Sequence, residues 1–246
     1  MARIDVHDES VSLDEPFLVE GLPGVGLVGK IATDHLVETY SMSHYASVYC
    51  EGLPKIGVYL DDDDELKPPV RLYADPERDL LALQSEVPVS GSGAPEFAAC
   101  VTGWLEERGV TPLYLSGRPA EKEGTPEVYG VATGTGSEHL DQAGIVPPGE
   151  TGFISGPTGA LLNRAIETDL DGVGLIVESD LQFPDPEAAR ALIQAGIGPI
   201  LDIDVDVGRL VEQAETIREQ REQLAQRMQE IEGDESTQAQ PLRMYQ

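Results

Sequence analysis

The sequence has no stretch of eighteen apolar residues, and its N-terminus (Met1, Ala2, Arg3, Ile4, Asp5) lacks the apolar run of a signal peptide. Membrane insertion and secretion are not expected; a cytoplasmic chain is. Cysteine is almost absent. Cys50 and Cys100 stand far from each other and from any histidine, so the spacing suggests neither a zinc site nor a disulfide framework, and both read as small core hydrophobes. Basic residues are scarce too: 16 Lys and Arg stand against 45 Asp and Glu, a formal net charge of −29. A nucleic-acid partner needs a basic stripe and would be repelled by this field. An acidic surface with only four lysines (Lys30, Lys55, Lys67, Lys122) is also what adaptation to high internal salt produces.

What is present is a 246-residue chain, long enough for one large α/β domain and an appendage. Short runs rich in Val, Ile and Tyr alternate with helical periodicity up to about residue 200, which predicts a mainly parallel sheet with covering helices. Strands are expected at 17–20, 46–50, 56–60, 70–73, 80–83, 112–116, 128–133, 152–155 and 173–177. Helices are expected at 29–40, 95–108, 158–168 and 186–195, the last with Pro186 in its first turn. The stretch 61–69, with four consecutive aspartates, reads as a solvated loop.

The α/β domain is expected to span 1–206, an amphipathic helix 207–232 and a flexible tail 233–246. In the helix Leu210, Ala214, Ile217, Leu224, Met228 and Ile231 recur at spacings of three and four, interrupted by Arg221 on the apolar seam. Packing on its own domain and packing between subunits both fit that pattern. Leu242, Met244 and Tyr245 return apolar surface to the end of a polar tail, a placement that asks for a partner.

The segment 17–30 reads as a strand, a glycine-rich turn and a helix start. Gly24, Gly26 and Gly29 match the dinucleotide fingerprint, with Glu51 after the next strand as the ribose-binding acid. Gly24 to Lys30 also fits the phosphate-loop pattern, but Ile31 stands where a Ser or Thr should hold magnesium; Glu178 or Asp180 could be argued as the second acidic group. A structural reading competes with both: the glycines permit a tight turn and close helix packing, and Pro23 stiffens the approach. Other chemistry is thin. His7, His35, His44 and His139 show no spacing of two or four, and no Gly-x-Ser-x-Gly elbow is present, although Ser90, Ser92 and Ser116 follow strands. No catalytic constellation, cofactor or metal is expected.

The segment EGLPGVGLVGKIA (20–32) with DHL (34–36), YGVAT (129–133), GPTGALL (156–162) and FPDPEAA (183–189) resembles the archaeal proteasome assembly chaperone family. The resemblance covers roughly residues 10–215. It implies a three-layer α/β sandwich akin to nucleoside phosphorylases, without the phosphorylase site, in members that work as homo-oligomers, trimers or tetramers. It also makes Gly21, Pro23, Gly24, Gly26, Gly29 and Lys30 a structural family loop. The terminus Met244-Tyr245-Gln246 is similar to the hydrophobic-tyrosine-any tail by which such proteins dock on the α-subunits of the core proteasome. A tyrosine supplies an apolar face and a hydroxyl, methionine fills an irregular gap, and the terminal carboxylate offers a charge. Several tails on one oligomer would raise avidity by about 10²- to 10⁴-fold. The resemblance therefore implies a non-enzymatic, nucleotide-independent chaperone or activator; an enzyme binding nucleotide at the 24–30 loop is the alternative.

Overall fold

The computed structural model describes residues 3–60, 64–120, 124–181 and 184–212. Eight strands form one mixed sheet in the order β1-β3-β4-β5-β2-β6-β8-β7. They are β1 (Arg3–Val6), β2 (Phe17–Gly21), β3 (Ser43–Tyr49), β4 (Val70–Asp75), β5 (Leu80–Ser85), β6 (Thr111–Pro119), β7 (Val128–Thr133) and β8 (Gly172–Ser179). The parallel pairs are β5 with β2, β2 with β6 and β6 with β8. On either side of them the pairing turns antiparallel. The expected mainly parallel sheet is therefore parallel only at its centre: β4 and β5 form a hairpin, where no crossover helix can intervene.

Helices cover both faces, giving the expected three layers. On one face α2 (Ala94–Arg108) and α4 (Gly156–Thr168) bury Phe97, Leu105 and Leu161 against Leu18, Leu72 and Leu83. On the other, α1 (Val28–Thr39), α3 (Ser137–Ala143) and α5 (Pro186–Leu192) bury Leu36, Leu140 and Leu192 against Val19, Leu113 and Leu175. Adjacent residues such as Leu18 and Val19 thus enter opposite cores, which is why the central strands read as unbroken apolar runs.

Helix ends follow local chemistry. α2 begins with Pro95 and stops at Gly109, whose φ of 62° is the left-handed cap. Asp185 caps α5 by accepting the Ala188 amide, 3.1 Å. The helix expected at 186–195 ends at Leu192, then continues through a π-turn (Ile193–Ile197) into α6 (Gly198–Leu201).

Several expectations fail. Residues 56–60 make only the isolated bridge Val58–Lys67, and 152–155 are loop; β1 and α3 carried too short a pattern to be read. Cys50 and Cys100, expected as separate core residues, are joined by a disulfide, Cα–Cα 6.3 Å, because the end of β3 is laid against α2. Of the expected helix 207–232 only 207–212 are described: Leu210 is buried in the α1 core. The rest of that helix, the tail 233–246 and its Met244, Tyr245 and Gln246 lie outside the described residues. No described helix is long and apolar enough to cross a membrane.

Candidate functional site at the glycine turn

β2 is the central strand, flanked on both sides by parallel neighbours, and such a strand should be apolar throughout. Its fourth residue is Glu20, fully buried. The carboxylate accepts hydrogen bonds from the Leu22 amide (3.1 Å) and the Leu115 amide (3.1 Å). The Thr158 hydroxyl, in the first turn of α4, lies 3.2 and 3.3 Å from its two oxygens. Burial raises the Glu20 pKa from 4.5 to about 7, outweighing the hydrogen bonds, which lower it. Glu20 thus joins β2, β6 and α4 at one point. It was visible in the sequence as the lone acid of an apolar strand, but nothing there separated it from the other acidic residues.

After Gly21 the chain turns through Leu22, Pro23 and Gly24 into a 3₁₀ turn (Val25–Leu27) and then α1. Gly26 has φ +61°, and a Cβ there would collide with the Ser179 hydroxyl. Its carbonyl accepts the Asp185 amide, 2.8 Å, while the Asp185 carboxylate accepts from Ser179 (3.2 Å) and the Asp180 amide (2.9 Å). The turn is therefore locked onto the end of β8 and the cap of α5. A Cβ at Gly21 would press on the Thr33 side chain at 2.6 Å, and one at Gly29 would stand 3.3 Å from the Glu20 carbonyl; Gly24 has open space. Three of the four glycines thus answer to close packing.

The groups needed for nucleotide are not gathered here. Lys30 bonds Asp34 at 2.9 Å and Glu86 at 3.0 Å, and Glu86 also holds the buried Arg71 at 2.7 Å. Glu51, after β3, is three strands from β2, about 14 Å at ordinary strand spacing, whereas a dinucleotide site needs it on the adjacent strand. Glu178 pairs with Arg118 at 2.9 Å. The Leu22 amide at the turn is taken by the protein's own Glu20 carboxyl group.

Beside the turn, between β6, β7 and α4, opens a cleft of about 950 Å³ lined by Leu22, Pro23, Ser116, Arg118, Phe153 and Ile166. Phe153 is 91% exposed. Arg118, at its rim, is engaged by Glu150 (2.6 Å) and Glu178 and stacks on Tyr129. Ser116 lies within β6, not in a loop; Ser90 caps the turn before α2 by accepting the Gly93 amide, 3.2 Å. Among the described residues no three His, Cys, Asp or Glu side chains are grouped to hold a metal.

The far end of the molecule is where the chain leaves the sheet. His35 bonds the Asp206 carbonyl (2.6 Å), the Tyr40 hydroxyl donates to the Asp204 carbonyl (3.1 Å), and Arg209 pairs with Glu38. All three anchors lie along the C-terminal half of α1, about 10–18 Å along its axis from the glycine turn at its N-terminal end.

A model of the PAC2 family matches residues 18–225. An uncharacterized protein of Methanocaldococcus jannaschii is 25% identical over 226 residues, covering 90% of each chain. Among solved structures, Pyrococcus furiosus PbaA, an archaeal homolog of proteasome-assembly chaperone, matches with a TM-score of 0.77 at 24% identity, over 94% of this chain and all of that one. PbaB of the same organism, an archaeal proteasome activator, matches at 0.77 and 23%, over 91% and 98%. The structural likenesses establish the shared α/β fold, and the family match spans both the glycine turn and its α5 anchor: the chain belongs to the PAC2 family.

Proposed function

We propose that this protein is a nucleotide-independent chaperone or activator that docks on the α-ring of the core proteasome through Met244, Tyr245 and Gln246, working as a homo-oligomer. The observation that carries the reading is the match along almost the whole chain to PbaA, a homolog of proteasome-assembly chaperone, and PbaB, a proteasome activator, together with the hydrophobic-tyrosine-any sequence Met244-Tyr245-Gln246. The glycine turn supports it from the other side. Gly21, Gly26 and Gly29 pack against protein, Lys30 is paired with carboxylates, and the Leu22 amide serves Glu20.

The test is binding of the full chain, and of a chain lacking Met244 to Gln246, to the cognate core proteasome in the salt of its cell. Binding lost with the three residues supports tail docking. Failure of both forms to bind refutes it and turns attention to nucleotide titration of the 24–30 turn.

A further inference from the structure

The Cys50–Cys100 bond ties the chain just past β3 to the middle of α2 across a sequence separation of 50 residues. The sequence holds two cysteines in all, so thiol chemistry gives this chain two states with no competing pairing. The two sides of the bond differ in how firmly they are held. Around Cys100 the helix is fixed, with Phe97, Ala98 and Val101 buried in the core. Residues 51–60, which follow Cys50, form no strand or helix beyond the single Val58–Lys67 bridge, and Ile56 and Tyr59 among them are exposed.

This loop rests on the start of α2 through a backbone contact. A Cβ on Gly52 would stand 2.3 Å from the Gly93 Cα, and one on Gly93 would stand 2.2 Å from the Gly52 Cα. The Ser90 hydroxyl donates to the Gly52 carbonyl at 3.4 Å. Two glycines in contact bury no side chain, so the approach gains little from apolar burial. The sulfur bridge two residues away supplies the hold.

We propose that the Cys50–Cys100 bond is a reversible redox clasp, docking the 51–60 loop on α2 when oxidised and releasing it when reduced by small or protein thiols. Cys50 is enclosed while Cys100 is only partly buried, which leaves the Cys100 sulfur as the point of attack. A thiolate bonds to that sulfur and the Cys50 sulfur leaves, taking up a proton. A second thiol then displaces Cys100 from the mixed disulfide. Two electrons and two protons pass to the protein, and the reductant departs as its own disulfide. Two thiols need more room than one disulfide, because nonbonded sulfurs stand at van der Waals contact instead of bond length. With α2 packed into the core, the loop is the side that gives way. It also forms a wall of a cleft of about 730 Å³ lined by Cys50, Gly52, Leu53, Ile56, Leu66 and Pro68, so its release reshapes that surface.

The test is limited trypsin digestion of the full chain, oxidised with glutathione disulfide or reduced with excess glutathione, read by mass. Lys55, followed by Ile56, is the tryptic site inside the loop. Cleavage there should speed up by at least about tenfold on reduction, a low figure for loss of a cross-link, and should slow again on reoxidation. Cleavage after Arg78, in the turn between β4 and β5, should keep its rate. The Cys50→Ser/Cys100→Ser pair should be cut quickly at Lys55 with or without reductant. Equal rates at Lys55 in both states overturn the proposal, as does acceleration at Arg78 in step with Lys55, which marks a general staple and not a local clasp. A bond that fails to form under glutathione disulfide, or that survives excess glutathione, overturns it too.

Discussion

Replacing Glu20 by glutamine tests whether the glycine turn rests on a buried acid. Folding raises the Glu20 pKa from 4.5 to about 7, so between these values the folded state holds a proton that the unfolded chain has released. Stability from this group is full below pH 4.5, falls as pH rises through the window, and is lost above about pH 7. A shift from 4.5 to about 7 corresponds to about 3 kcal/mol at 1.36 kcal/mol per pKa unit. No discount for solvent applies, because the carboxylate is fully buried. Glutamine cannot ionise, but its single oxygen can serve only one of the Leu22 and Leu115 amides, a constant loss of about 1–3 kcal/mol at every pH. The readout is therefore the slope and not the level. Urea unfolding at fixed salt, with the difference between parent and Glu20→Gln plotted against pH, should show the parent losing about 3 kcal/mol relative to the variant between about pH 4.5 and 8. Parallel curves would show that Glu20 is ionised in both states and that the burial argument is wrong.

Gly26→Ala should destabilise by more than about 1 kcal/mol, since φ is +61° and Ser179 fills the space, while Gly24→Ala, with open space, should change little; thermal unfolding of the two separates packing from mere loop composition. Reduction, or the Cys50→Ser/Cys100→Ser pair, should cost up to about 4 kcal/mol, the loop entropy for a separation of 50 residues. The serine pair should then show no further shift of its urea midpoint with reductant. Lys30→Met should cost about 1–3 kcal/mol by leaving Asp34 and Glu86 without their shared cation, and, under the proposed function, should leave binding to the core proteasome intact; equal stability with lost binding would overturn the reading of Lys30 as structural.

Much of the scaffold was legible because it depends on local chemistry. β7 was read at its exact bounds, β2 and β8 to within one or two residues at each end, and α2 to within one, since alternation, Pro95 and Gly109 act over a few positions. The 17–30 segment was recognisable as strand, turn and helix for the same reason. The short β1 and α3 were not, because a few residues carry no period, and 56–60 had the composition of a strand with no neighbour to pair with.

Contacts across the chain belonged to the tertiary structure alone. Two glycine patterns could be laid on the 24–30 turn in one dimension; strand order sets Glu51 three strands from β2, against the dinucleotide pattern, and packing pairs Lys30 with Asp34 and Glu86, against the phosphate-loop pattern. The Cys50–Cys100 bond, the meeting of His7 and His44 on Ser47, and the enclosure of Glu20 by β6 and α4 have the same origin. Composition and periodicity determine which segments become strands and helices, because backbone propensity and burial act within a turn or two. Pairing partners and buried charges depend on which distant segments the sheet brings together, and that information is carried by packing, not by any one stretch of sequence.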